Sequence, residues 1–99
     1  MAKSKLEKSP RAPACLSKPA QALWAKIVSE WEIDNAADLA VLRTGLLAWD
    51  RAEAATAQIK RDGQTVTDRF GQVKPHPLMT TERDARSQFM NAIRQMGLA

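Results

Sequence analysis

The sequence predicts a mainly α-helical fold: an antiparallel helical hairpin with a long central helix, a small β-hairpin and a C-terminal helix. Three observations carry this. Residues 35–62 contain no proline and are dense in alanine and leucine, so strong helix formers outweigh the one internal glycine, Gly45. Apolar residues recur at three- and four-residue spacing before, within and after that stretch, the signature of one-sided helices. Between 63 and 77 the rhythm changes to short β-favouring triplets around a glycine.

Taken in chain order, residues 1–16 mix Lys, Ser, Pro and Ala, with Pro10 and Pro13 against helix formation. They offer little to bury, which predicts a disordered basic arm. The helical domain is expected over 17–99. Ser17 is a good N-cap and Pro19 suits a first turn, so a helix should run over about 18–32. Leu23, Trp24, Ile27, Val28 and Trp31 recur along it, and both tryptophans are read as packing residues.

Asp34 or Asn35 caps the next helix, 35–62, which at about 1.5 Å per residue is roughly 40 Å long. Asp38 in its first turn and Lys60 and Arg61 in its last complement its dipole, and Gly63 stops it. Leu39, Leu42, Leu46 and Trp49, continued by Ala52 and Thr56, form one stripe. Ala40, Leu47 and Ala54, with Val41, Ala48 and Ala55 beside them, lie well round the cylinder. A helix apolar on several sides needs cover on several sides, and a short chain has few elements to give. These six residues are therefore expected to form a contact between copies of the chain.

Thr65–Thr67 and Gln72–Lys74 flank Asp68-Arg69-Phe70-Gly71, a hairpin over about 64–74. A two-stranded hairpin alone is marginal in water, so it should rest on helices or on a neighbour. The last helix is expected over about 77–96, opening at Pro77. Gly97-Leu98 fits a Schellman ending.

Ninety-nine residues with one cysteine and a net charge of +4 describe one small domain without a disulfide framework. Residues 1–18 hold Lys3, Lys5, Lys8, Arg11 and Lys18 against Glu7 alone, whereas residues 19–99 are balanced. All the excess charge sits in the arm, as in a protein that touches a polyanion with a flexible segment. Those five side chains are the first candidates for contact with such a polyanion, which the resemblance below implies is DNA. Arg43, Arg51, Lys60, Arg61, Arg69 and Lys74 are second choices.

Other chemistry is poorly supported. No apolar run approaches the ~20 residues of a membrane span, and the amino terminus has no apolar segment of signal-peptide type. There is no phosphate-binding Gly-rich loop. His76 is the only histidine, which argues against a metal site, and its proline neighbours point to a structural turn. Cys15 has no base near it in sequence, a poor nucleophile. No helix-turn-helix is discernible, because the segment after Gly63 reads as strand. The chain is expected to be no enzyme and to need no cofactor.

The ordered set Pro19, Leu23-Trp24, Ile27, Trp31, Asp38-Leu39, Leu42, the long alanine-rich helix ending at Asp62-Gly63, the Thr-Val strand with Gly71, His76-Pro77 and Met96-Gly97-Leu98-Ala99 resembles the small terminase subunit of tailed phages. The resemblance is to the compact siphophage-type family and covers most of residues 17–99. It implies a non-catalytic ring of roughly eight to twelve subunits with closed symmetry. Such a ring binds double-stranded DNA and recruits or regulates the large ATPase and nuclease subunit, in the cytoplasm of the bacterial host.

Nothing before Ser17 matches the separate DNA-reading domain of some members, and the tail that others carry beyond the Gly-Leu ending is not matched either. The first departure fits relaxed sequence choice, of the prophage or gene-transfer-agent-like kind. The alternatives are a protein-only phage adaptor and a small basic DNA-binding regulator.

Overall fold

The computed structural model describes residues 10–98. Three helices and one hairpin follow in order: α1 (Lys18–Trp31), α2 (Ala36–Asp62), β1 (Thr65–Thr67), β2 (Val73–Pro75) and α3 (Leu78–Gln95). The fold is the expected mainly helical one, drawn out to 65 × 23 × 17 Å.

Local chemistry sets each boundary. The Ser17 hydroxyl accepts from the Ala20 N–H at 3.2 Å and itself donates to Asp50 at 2.5 Å, while the Ser17 N–H donates to the other Asp50 oxygen at 2.9 Å. One residue thus caps α1 and ties it to the middle of α2. α1 ends with Glu32 in the left-handed region (φ 49) and the Ile33 N–H donating to the Val28 carbonyl at 3.1 Å. That is a Schellman ending, and Ile33 is buried behind it. Of the two proposed caps for α2, Asn35 serves: its side-chain oxygen accepts from the Asp38 N–H at 2.8 Å.

The expected antiparallel hairpin of α1 and α2 is present, with Ala20, Trp24 and Val28 against Leu42 and Leu46. The more extensive contact of α2 is with α3, which returns along it through alanines. Gly45, Ala48, Ala52 and Ala55 are buried on α2 and Ala85 and Ala92 on α3. At Gly45 the backbones come so close that an added Cβ would stand 2.7 Å from the Ala92 Cβ. Polar clasps border this seam: Arg51 donates to Gln88 at 2.7 Å, and Arg86 donates to Glu53 at 2.8 Å, Glu82 at 3.0 Å and Thr56 at 3.2 Å.

Three expectations need correction. The arm does not run unstructured to residue 16, because Leu16 is 4% exposed within the core and the Trp24 indole N–H donates to the Pro10 carbonyl at 3.0 Å. The apolar face of α1 is wider than one neighbouring helix covers, and Leu16 with the proline-stiffened residues ahead of it closes the gap. Trp31 is 52% exposed rather than packed, since it lies at the last turn of α1, beyond the first turn of the helix that covers Trp24. Ala48 and Ala55, expected between copies, are 0% and 4% exposed within the protomer, because α3 supplies small residues that fit there.

The strands pair antiparallel as Thr65↔Pro75, Val66↔Lys74 and Thr67↔Val73, one residue later on the second side than the triplets indicated. The tip closes through Asp68, whose N–H donates to the Gln72 carbonyl at 2.9 Å and whose Oδ1 accepts from the N–H groups of Phe70 and Gln72. His76 joins the hairpin to both helices. Its Nε2 meets Asp62 at 2.8 Å, its Nδ1 accepts from the Leu78 N–H at 3.1 Å, and its own N–H donates to the Gln64 carbonyl. Because Pro77, at the N-cap of α3, has no capping side chain, His76 performs that task.

Candidate nucleic-acid interface

The position of each cation follows from which arcs of α2 the other helices cover. α1 takes the side of Leu42 and Leu46, and α3 takes the side of Gly45, Ala48, Ala52 and Ala55. At 100° per residue the open arc holds the exposed Ala40, Arg43, Ala54 and Arg61, with Gln58 half-buried, Leu47 half-buried against the core, and Arg51 at its edge. Arg43 and Arg61 are eighteen residues apart, about five whole turns, so they lie in line about 27 Å from each other. Both arginines are exposed. Two carboxylates lie near this line: Asp50, held by Ser17, and Asp62 beside Arg61, held by His76 and Gln58.

The second-choice residues therefore divide. Arg43 and Lys60 are exposed and make no side-chain hydrogen bond or ion pair among the described residues. Arg61 bonds only the neutral Gln58, and Arg51 only the neutral Gln88. Arg43, Lys60 and Arg51 thus face no carboxylate partner, whereas Arg61 already helps to keep the adjacent Asp62 ionised. Lys74 is paired with Asp68 at 3.2 Å, and the Arg69 guanidinium lies 5.0 Å from the centroid of the Phe70 ring.

Of the first-choice set, Arg11 and Lys18 are exposed on the body, and Lys3, Lys5 and Lys8 lie outside the described residues. Residue 10, where the described chain begins, is held beside α1 by its carbonyl at Trp24. Lys26 on α1 is a further exposed cation in neither set, and two more stand on the outer side of α3: Arg83 and Arg94. Their spacing of eleven residues, three turns, was the available signal. Arg86 between them is committed to Glu53 and Glu82, and those bonds raise its pKa further above the usual guanidinium value, with Glu53 the larger cause.

Two carboxylates near the hairpin are held ionised. The His76 contact, followed by Gln58, lowers the Asp62 pKa below its ordinary value. The Gln72 N–H, with Lys74 and the Phe70 N–H, lowers that of Asp68. Both act as structural anchors. Among the described residues no three His, Cys, Asp or Glu side chains converge as a metal site would require, and no helix is long and apolar enough to cross a membrane. Cys15 is exposed and unpaired.

No curated protein and no solved structure matches the chain significantly. A family profile described as phage terminase, small subunit, matches residues 20–99, from the first turn of α1 to the final residue. The chain belongs to the phage terminase small subunit family, and its role is in DNA packaging.

Proposed function

We propose that this chain is the non-catalytic, DNA-holding part of a packaging motor: a ring of roughly eight to twelve identical subunits in closed symmetry. The ring binds double-stranded DNA and presents it to the large subunit, which carries the ATPase and nuclease, in the cytoplasm of a bacterial host. The observation that carries this reading is the partition of charge. Within a family of DNA-packaging proteins, this chain places its whole excess of +4 before residue 19, ahead of a body whose charges balance. The arm makes the first phosphate contacts through Lys3, Lys5, Lys8, Arg11 and Lys18. The line of Arg43 and Arg61 on α2, with Arg51 at its edge, is the second contact. Phosphate contacts of this kind position DNA without reading its sequence, which agrees with relaxed site choice.

The test neutralises the arm without disturbing the fold. Deletion through residue 16 would remove Leu16 from the core, so the suitable variant is Lys3→Gln/Lys5→Gln/Lys8→Gln in the full chain. DNA affinity measured across a salt series should fall severalfold. The slope of log affinity against log salt should shrink by up to about three, since each phosphate neutralised contributes about 0.9. The mass of the oligomer should not change. Unaltered affinity and slope reject the arm as the contact, and failure of the wild type to shift DNA of any length at low salt rejects DNA holding in favour of a protein-only adaptor.

A further inference from the structure

The side of α1 that carries Trp24 is covered in two ways. Leu42 and Leu46 of α2 close one flank, and the chain ahead of Ser17 closes the other. Leu16 is buried at the start of the helix, where the Gln21 side chain donates to its carbonyl at 2.8 Å. Ala12 packs against the same core, and the Pro10 carbonyl accepts from the Trp24 indole N–H. From residue 16 back to residue 10 this strap therefore climbs α1 from its first turn to its middle. Trp31 stands seven residues beyond Trp24, two turns on and on the same side, about 10 Å further along. It is 52% exposed.

The segment that continues the strap past Trp24 is residues 1–9, MAKSKLEKS. Apart from Met1, Leu6 is its one large apolar residue. It lies four residues before Pro10, a reach of about 13 Å at about 3.3 Å per extended residue, which is enough for the step from Trp24 to Trp31. Charge matches as well. Between Trp24 and Leu42 the chain carries Glu30, Glu32, Asp34 and Asp38, with Lys26 as the one base. Residues 1–9 carry Lys3, Lys5 and Lys8, with Glu7 as the one acid, and Arg11 follows them. Arg43 and Arg94, on the two neighbouring helices, reduce the charge of the corner from −3 to −1 without reversing it.

We propose that this strip of α1 is the docking site of the chain's own amino-terminal residues, with Leu6 against Trp31 and the lysines beside Glu30 and Asp34. This rests on the DNA-holding reading above and supplies its regulation: the lysines that meet phosphate are the ones the acidic corner holds, so corner and DNA compete for them. The tether favours this occupant over a second copy, because only residues 7–9 separate Leu6 from the anchored Pro10, and so short a link gives an effective concentration in the millimolar range. Surface ion pairs contribute little singly. The latch therefore yields to a polyanion that offers many phosphates at once.

The test uses the full chain with Cys15→Ser as background, which leaves no native thiol. Leu6→Cys is paired with Trp31→Cys or, as a control at similar distance on the other side of the helix, with Ser29→Cys, an exposed position. Mild oxidation should close the 6–31 pair into a monomer-sized species whose thiols no longer alkylate, about tenfold faster than the 6–29 pair. Equal rates overturn the docking, and a 6–31 disulfide between chains overturns the intramolecular contact in favour of exchange between copies. A second measurement leaves Trp31 in place. Leu6→Ala should tighten DNA binding about threefold to tenfold, the value of a partly buried leucine, and should change nothing in the Lys3→Gln/Lys5→Gln/Lys8→Gln background. No gain from Leu6→Ala, or a gain that survives without the lysines, overturns the competition. A wild type that binds no DNA removes the reading above and the competition with it, whereas the disulfide rates still decide the docking.

Discussion

The close approach at Gly45 invites a substitution that ordinary helix rules would call favourable. Replacing an internal helical glycine with alanine contributes about 1 kcal/mol. Here the new Cβ would stand 2.7 Å from the Ala92 Cβ, about 1 Å inside the optimal carbon–carbon separation of about 3.5–4.0 Å. Both atoms are stubs on helical backbones, so relief requires α2 and α3 to part along a seam of alanines with no flexible side chain to yield. Overpacking of this kind costs about 1–3 kcal/mol. Set against the propensity gain, Gly45→Ala should be destabilising by about 1 kcal/mol, which lowers the melting temperature by about 4–8 °C for a domain of this size.

The partner substitution makes the argument sharp. Ala92→Gly alone loses about 1 kcal/mol of helix propensity as well as its share of the seam. Combined with Gly45→Ala it moves the small residue from one helix to the other, and the pair should return to within about 0.5 kcal/mol of wild type. The assay is thermal unfolding followed by circular dichroism at one fixed protein concentration, because assembly would otherwise shift the midpoint. If Gly45→Ala raises the midpoint, or if the two changes simply add, the helices do not meet at this glycine and the account of the seam is wrong.

Two further outcomes follow from the packing and the charges. Leu16→Ala should cost about 2–4 kcal/mol, as for other buried leucines, and a loss under about 0.5 kcal/mol would show that the residues before Ser17 add nothing to the core. Asp62 has a folded-state pKa below its unfolded value of 3.8, so the stability from its His76 contact is present above that value and is lost as pH falls through the folded one. In melts taken from pH 5 downward, Asp62→Asn should lose less stability on acidification than the wild type, and parallel curves would remove this contact from the balance.

What could be read without coordinates was what neighbouring residues decide among themselves. Ser17, Asn35, Gly63 and Gly97-Leu98 mark helix ends by chemistry that acts within a turn, and each is found at or next to its expected boundary. The partition of charge was equally plain, since it needs only counting. The misplaced residues are those whose setting depends on a distant element. Gly45 looked like a weak point in a helix and is a contact surface, because Ala92 arrives from almost fifty residues away. Ala48 and Ala55 looked like surface for another copy until α3 covered them. Leu16 was grouped with its lysine- and proline-rich predecessors, and only the unfilled side of α1 separates it from them. For the same reason the alignment of Arg43 with Arg61 was implicit in their spacing, but its exposure was not. That depended on which arcs of the long helix its neighbours left open.

The bonds of His76 have a consequence for how the chain can change. One imidazole is held by the last residue of α2 and by the first amide of α3, so the two ends of the detour of residues 63–75 are fastened through it. The exposed tip, Arg69 to Gly71, can be exchanged without touching that fastening, so the helices should keep their alignment through such a change.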